Sequence, residues 1–392
     1  MSGVNPATAP FYSFRNRVKL IHGGREYFSV MADMIRKASN SIHLQTYIYD
    51  HDETGIMIGE ELMAASRRGV KIYILLDGYA SRHLPSTFIE ELTSSGIHFR
   101  FFEPIFKGNS FYFGRRLHHK VLVTDNKFSL VGGINISNRY NDMPGDPAWF
   151  DWAVYAEGEV SYELFRVCVE FWYKSPKQAR AAITANPPFA FPHEWDCAVK
   201  VRRNDWVRRR NQISRSYIEM FNRAENDIII MSSYFLPGRV MRRNMVMASR
   251  RGVNISLVLA GTSDVKMSKY AERFIYRWML RNKVKIYEYP KCVLHAKLST
   301  YDEKWVTVGS YNVNDISAYA SIELNLDIMD AEFAREVTRR MRNTIEKDCI
   351  PITDENLKNY NIVTRFLQWW SYEVFRAVLY IFTFYFRQQE DQ

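Results

Sequence analysis

The spacing of apolar residues changes period many times along this chain, from the alternation of a half-buried strand to the three- and four-residue rhythm of a helix packed on one side. In the first half Ile42 to Tyr49 reads as a strand, Gly55 to Arg68 as a helix, Val70 to Asp77 as a strand and Ser86 to Ser94 as a helix. Strands near Ile97 to Phe102 and Leu117 to Thr124 follow. The second half repeats the order with strand Asp227 to Ser232, helix Arg239 to Arg250, strand Val253 to Leu259 and helix Lys266 to Arg281. Strands near Val284 to Tyr289, Leu294 to Tyr301 and Trp305 to Gly309 complete it. Strands alternating with helices predict an α/β fold, with a mixed sheet flanked by helices in each half. Gly69 stands where a helix needs a C-cap, and Arg67 and Arg68 face the negative end of the helix dipole, which makes that basic pair structural.

Between the halves, Ser175 to Trp195 carries Pro176, Pro187, Pro188 and Pro192 and reads as a linker. The expected division is residues 1–174, a linker 175–195, residues 196–350 and a tail 351–392.

The halves also share a motif. His118, Lys120, Asp125, Gly132, Gly133 and Asn135 return at the same spacing as His295, Lys297, Asp302, Gly309, Ser310 and Asn312. Ala65-Ser66-Arg67-Arg68-Gly69-Val70 returns as Ala248-Ser249-Arg250-Arg251-Gly252-Val253, and Ala38-Ser39-Asn40-Ser41-Ile42 resembles Ala224-Glu225-Asn226-Asp227-Ile228. The offsets 226−40=186, 248−65=183 and 295−118=177 show a second half shorter by a few loop residues. Two units of this length imply a pair of similar domains and not a solenoid.

Composition narrows the setting. With 392 residues, 47% apolar and 15% aromatic, the chain can bury two ordinary cores and is not disordered. A formal net charge of +10 implies a polyanionic neighbour, nucleic acid or an anionic membrane surface, unless it serves solubility alone. Cys168, Cys197, Cys292 and Cys349 lack paired spacing and read as reduced thiols of a cytosolic protein. Cys292 lies near His295 but lacks the further ligands of a zinc site, so no metal is expected. The N-terminal segment has neither the charged start nor the apolar core of a secretory signal.

Within a strand, residues two apart share a face, so His118 and Lys120 point one way and His119 the other; His295 and Lys297 pair likewise, with Ala296 opposite. A Gly-rich turn after each strand then brings Asn135 or Asn312 back toward the motif, where small residues let backbone approach a phosphate. A phosphodiester anion repels nucleophiles, and Lys120 and Lys297 would neutralise the charge that builds on its oxygens, with Asn135 and Asn312 as amide donors. Imidazole, with an ordinary pKa of about 6.5, can be neutral and nucleophilic in one copy and protonated in the other. This is covalent catalysis with a paired acid. Each imidazole needs an orienting carboxylate on its other nitrogen. Asp151 follows His118 by 33 residues and Glu323 follows His295 by 28, and both are candidates.

The paired motifs resemble the HKD signatures of the phospholipase D superfamily, and the match runs over about residues 25 to 345. The overall layout is most similar to bacterial cardiolipin synthases of the kind without an N-terminal pair of membrane helices. The resemblance implies two phospholipase D-like domains related by a pseudo-twofold, one active site between them, and a phosphohistidine intermediate. It assigns His118 as nucleophile and His295 as general acid and then base, an order that could be reversed. Asp125 and Asp302 belong to the catalytic motif as the family defines it, although in the family they more often hold the turn. Asp151 and Glu323 resemble the family's acidic partners of the histidines.

The superfamily includes nucleases, so the flanks must choose the substrate. The segment Phe101 to Arg116 interleaves aromatics and cations with Gly, Pro and Asn, as an exposed loop suited to a lipid interface or to stacking on bases. From Ile362 to Phe386 the tail is mostly apolar, but Arg365, Glu373 and Arg376 interrupt it, and Ala377 to Phe386 is too short for the ~20 residues of a spanning helix. As a helix it carries a polar stripe of Arg365, Gln368, Tyr372, Arg376, Tyr380, Thr383 and Arg387, which suits an amphipathic segment lying in the membrane interface, cations toward headgroups. The expected activity is phosphatidyl transfer from phosphatidylglycerol to a second phosphatidylglycerol, making cardiolipin and releasing glycerol. The alternatives are hydrolysis of phospholipid to phosphatidic acid, or a nuclease. No nucleotide, metal or other cofactor is required, and no nucleic acid partner is expected. The expected location is the cytoplasmic face of the cell membrane, peripheral or monotopic, and the pattern carries no signal for oligomeric state.

Overall fold

The computed structural model describes residues 12–103, 106–107, 110–111, 115–183, 189–208, 210–314, 321–358 and 360–388. The first half builds a 7-stranded mixed sheet from β1 (Asn16–His22), β2 (Ser41–Thr46), β3 (Lys71–Asp77), β4 (His98–Phe102), β5 (Lys120–Thr124), β6 (Phe128–Gly132) and β7 (Trp152–Gly158). Their spatial order is β1-β7-β6-β5-β2-β3-β4. Strands β2, β3 and β4 are parallel and the remaining pairs antiparallel. Parallel neighbours need a crossover, and α2 (Glu53–Arg67) and α3 (Ser86–Ser94) supply it, while α1 (Arg25–Lys37) joins β1 to β2 and α4 (Glu159–Trp172) follows β7. Asp52 caps α2 by accepting from the Gly55 amide at 3.0 Å.

The second half repeats this plan. Strands β8 (Ala198–Asp205), β9 (Asp227–Ser232), β10 (Asn254–Ala260), β11 (Lys285–Tyr289), β12 (Lys297–Tyr301), β13 (Trp305–Gly309) and β14 (Ser321–Met329) lie in the order β8-β14-β13-β12-β9-β10-β11, the counterpart of the first sheet strand for strand. Arg210–Asn211 and β15 (Ile350–Ile352) extend its edges. Helices α5 (Gln212–Arg223), α6 (Arg239–Arg250), α7 (Lys266–Arg281) and α8 (Ala331–Asp348) take the places of α1 to α4.

Alternation along the strands sorts the apolar side chains into three layers. Val121 and Val123 of β5 face a layer shared by both halves, where they join Val131 and Val154 with Leu298, Val308 and Leu326 of the second sheet. Leu122, between them, faces the outer layer with Ile35, Leu62 and Phe88 of α1 to α3. Ile230 and Leu257 meet Phe221, Met245 and Tyr276 of α5 to α7 in the matching outer layer of the second half. The α/β architecture of two similar domains expected from the sequence is the one observed.

The strand expected over Ile42 to Tyr49 ends at Thr46, and the two motif strands also differ in extent. Leu117 to Thr124 breaks at His118-His119, and Leu294 to Tyr301 begins only at Lys297. The reason is a change of partner. Arg116–Leu117 pairs in parallel with Ser321–Ile322 of β14, across the molecule, before the chain rejoins its own sheet at Lys120. Leu294 forms the equivalent parallel bridge with Phe150.

The segment Phe101 to Arg116 is described only in part, with residues 104–105, 108–109 and 112–114 outside the described residues; Phe106–Lys107 and Ser110–Phe111 form a short antiparallel hairpin. The tail forms α9 (Ile362–Gln388), whose side chains are described as far as Val378, so Tyr380, Thr383 and Arg387 of the expected stripe lie outside the description. Gln368 and Ser371 are buried and Tyr372 packs on Phe274 of α7 at 4.8 Å between ring centroids. That part of the polar stripe faces the protein, and Ile362, Val363, Phe366, Trp369 and Trp370 are exposed.

Candidate active site

The two changes of partner put each motif histidine on the seam between the halves. The His118 amide donates to the Ile322 carbonyl at 3.0 Å, and the His295 amide donates to the Phe150 carbonyl at 2.8 Å. The residues after Ile322 and Phe150 are Glu323 and Asp151. Nδ1 of His118 therefore lies 2.9 Å from the Glu323 carboxylate, and Nδ1 of His295 lies 2.7 Å from that of Asp151. Both carboxylates are fully buried. The pairing is crossed, so that each half orients the imidazole of the other. Engaging Nδ1 leaves Nε2 as the reactive nitrogen of each ring.

The motif glycines fit this pairing. A Cβ on Gly133 would stand 2.4 Å from an oxygen of Asp151. Ser310, its counterpart, uses its side chain to donate to Glu323, whereas Asp151 accepts from the Trp152 amide at 2.7 Å.

Both lysines reach the same seam. Lys120 Nζ donates to the His118 carbonyl at 2.5 Å and lies 5.3 Å from the centre of the Tyr47 ring. Lys297 Nζ donates to the Ser233 hydroxyl at 3.0 Å and to the His295 carbonyl. Burial drives the Lys120 ammonium down to about 7 and that of Lys297 to about 8, opposed by Glu323 and Asp151. His118 is lowered by burial, with Glu323 pulling the other way and Lys120 and Lys297 adding to the fall. His295 is held well below its ordinary value by burial, then by Lys297, Lys120 and His118. Burial also raises Asp151, against the pull of Lys297. Each motif histidine thus feels the lysine of the opposite copy, which ties the two sets into one electrostatic unit. With substrate absent the site disfavours positive charge, and an anion entering between the lysines would raise all four bases together.

Other sequence candidates lie elsewhere. Asp125 and Asp302, grouped with the catalytic motif, are structural ties and not part of this site. Asp125 sits past the far end of β5, roughly 20 Å along the chain from His118 at strand rise, and accepts from the amides of Ser39, Asn40 and Ser41. Asp302 accepts from the amides of Glu225, Asn226 and Asp227. Asn135, expected to face substrate phosphate, is also engaged internally: its Oδ1 accepts from the Ile48 amide at 3.1 Å and its Nδ2 donates to the Tyr140 hydroxyl at 2.9 Å. Asn312 differs, for its buried Oδ1 has no partner among the described residues.

Tyr47, Tyr140 and Ser233 were not singled out from the sequence. The Tyr47 ring meets His118 edge-on at 4.8 Å, and that of Tyr140 meets His295 at 5.1 Å. Tyr47 and Ser233 were findable, because they occupy equivalent positions just after β2 and β9 at the repeat offset of 233−47=186.

The chain matches a protein-family model described as "Cardiolipin synthase, PLD-like domain" twice, over residues 31–151 and 217–345. It is 32% identical over 370 residues to cardiolipin synthase B of Salmonella typhi, covering 91% of this chain and 85% of that protein. It is 29% identical over 368 residues to cardiolipin synthase B of Escherichia coli, with the same 91% and 85% coverage. Among solved structures, phosphatidylserine synthase of Haemophilus influenzae superposes with a TM-score of 0.73 at 14% identity, over 95% of this chain and 97% of that one, and shares the fold.

Proposed function

The chain belongs to the cardiolipin synthase, PLD-like domain family of the phospholipase D superfamily, and from that premise we propose that this phosphatidyltransferase joins two phosphatidylglycerol molecules into cardiolipin and releases glycerol. The observation that carries this reading is the crossed pairing of His118 with Glu323 and His295 with Asp151, beside two buried lysines.

In the first step Nε2 of His118 attacks the phosphorus of phosphatidylglycerol while Lys120 and Lys297 offset the charge on the phosphoryl oxygens. The bond from phosphorus to the glycerol oxygen breaks, and His295 gives that oxygen its proton. The product is a phosphatidyl group on His118, with His118 as nucleophile and His295 as acid. Glu323 holds Nε2 of His118 as the free nitrogen and stabilises the positive charge the ring acquires. In the second step a glycerol hydroxyl of another phosphatidylglycerol gives its proton to His295 and attacks the phosphorus, which releases His118 and forms cardiolipin. One phosphodiester replaces another, so no external energy source enters. Asn312 would offer its carboxamide N–H to a phosphoryl oxygen.

The same reading divides the chain into domains at 1–174 and 196–350, a linker at 175–195 and a membrane-associating tail at 351–392. No helix among the described residues is long and apolar enough to cross a membrane, and the exposed face of α9 with Phe366, Trp369 and Trp370 supports a peripheral association. The free thiols of all four cysteines support the cytoplasmic face.

The test incubates purified protein with labelled phosphatidylglycerol, with and without phosphatidylethanolamine, and identifies products by mass spectrometry. Cardiolipin and free glycerol are expected, and His118→Ala should abolish both. Phosphatidic acid alone would replace this reading with a hydrolase, and cleavage of DNA without lipid turnover would replace it with a nuclease.

A further inference from the structure

Outside the second sheet lie two adjoining surface clefts that share Arg242 and Trp278, one of about 560 Å³ lined by α6 and Trp278 and one of about 420 Å³ between α6, α7 and α9. That is the size range of small-molecule sites, and no lining residue belongs to the site described above. The walls are unusually cationic. Helix α6 contains four arginines and no carboxylate, and Arg277, Arg281 and Arg365 add to the second cleft. Arg242 stacks over the Trp278 and Tyr372 rings at 5.4 and 5.6 Å.

The acids of α7, α9 and β11 are already committed. Glu288 pairs with Arg273 at 2.8 Å, Glu272 with Lys269 at 2.7 Å and Glu373 with Arg376 at 2.9 Å. Among the described residues Arg243, Arg277 and Arg281 have no carboxylate partner.

An independent observation points into the same space. Gln368 of α9 is 5% exposed and lines the second cleft, yet its buried Nε2 has no acceptor among the described residues. A buried donor without an acceptor is costly, and an oxygen anion held by the guanidinium groups would supply what is missing. Beside the clefts stand exposed apolar side chains, Val240 and Met247 on α6 and Trp369 and Trp370 on α9. Cations interleaved with indoles and aliphatics suit the level of lipid headgroups.

We propose that the α6–α7–α9 cleft is a second lipid site, seating the phosphodiester headgroup of an anionic phospholipid that remains in the bilayer. It takes no part in the chemistry and anchors the enzyme selectively on membranes that carry its substrate. The inference rests on the reading of α9 as membrane-associated.

The test floats three proteins with vesicles of phosphatidylcholine alone or mixed with phosphatidylglycerol: the full chain, an Arg243→Gln/Arg277→Gln/Arg281→Gln variant and a Trp369→Ser/Trp370→Ser variant. The arginine variant should lose roughly tenfold or more of the preference for anionic vesicles while turning over detergent-dispersed phosphatidylglycerol at the wild-type rate. The indole variant should lose binding to both vesicle types. Gln368→Leu, which removes the unpartnered donor without touching charge, should weaken anionic binding with no loss in melting temperature. An arginine variant that keeps its preference overturns the headgroup site and leaves the tail reading intact, whereas an indole variant that binds normally overturns the tail reading. Release from vesicles by dilute glycerol 3-phosphate would overturn the proposal in favour of a soluble phosphate ester.

Discussion

At the scale of single residues, the crossed carboxylates decide how the site behaves. Asp151→Asn and Glu323→Gln each keep the shape of the side chain and remove the charge that fixes a ring tautomer, so each should lower kcat on the order of 10²–10⁴-fold with the fold intact. Equal circular dichroism and unequal turnover would be the signature, and a variant with wild-type kcat would remove that carboxylate from the site. The lysines set the pH profile. Their ammonium groups, depressed to about 7 and about 8 by burial, are lost as pH rises through that range in the empty enzyme. Accordingly kcat/KM, which reports the free enzyme, should fall as the His295 proton is lost and then more steeply above pH 7–8 as the lysines discharge, while kcat, measured with a phosphodiester bound, should hold to higher pH. Identical alkaline limbs in the two profiles would refute this. The two His-x-Lys sets and both carboxylates were legible as residue types at fixed spacing. The cross was not, because Asp151 lies nearer to His118 along the chain and only tertiary structure sets it against His295.

At the scale of elements, periodicity located Ser86–Ser94, Arg239–Arg250 and Lys266–Arg281 with the bounds observed, since each is an amphipathic helix between clear strands. It overextended the motif strands, because an apolar run does not reveal that Leu117 and Leu294 pair with the other half. It also left the polar stripe of the tail facing lipid headgroups, whereas Gln368 and Tyr372 face α7; amphipathic pattern shows that a helix has two faces and is silent on which one meets protein. Asp125 and Asp302 carry an element-scale expectation. Each gathers three backbone amides at the start of β2 or β9, from a residue with φ of +51° or +49°. Asp125→Ala and Asp302→Ala should each cost about 1–3 kcal/mol of stability, read by urea denaturation, with turnover per folded molecule within about threefold of wild type. A collapse of turnover in a fully folded variant would return these aspartates to the chemistry.

At the scale of the whole molecule, buried neutral histidines set an acid limit on stability. Burial lowers His43 to about 4 and His119 to about 3. Below pH 6.5 the unfolded chain therefore takes up protons that the folded one refuses, and stability declines as pH falls toward 4. Glu163, raised to about 7 by burial, acts in the opposite sense, because the folded protein keeps a proton that the unfolded chain releases. The contribution of His43 can be isolated with His43→Phe, a ring that retains the stack on Tyr73 and the edge contact with Phe165. Between pH 7 and pH 4 that variant should lose less stability than wild type, by on the order of 3 kcal/mol. Parallel stability curves for the two proteins would exclude His43 as a cause of the acid limb.

The distance along the chain between His118 and Glu323, 205 residues, bears on synthesis at the ribosome. Domains emerge and fold from the N-terminus onward, so a growing polypeptide displays its first imidazole long before the acid that steadies it has been translated. Under the proposed roles an unfinished chain beside a bilayer is chemically silent, and lipid turnover begins only when the final sheet closes over the first.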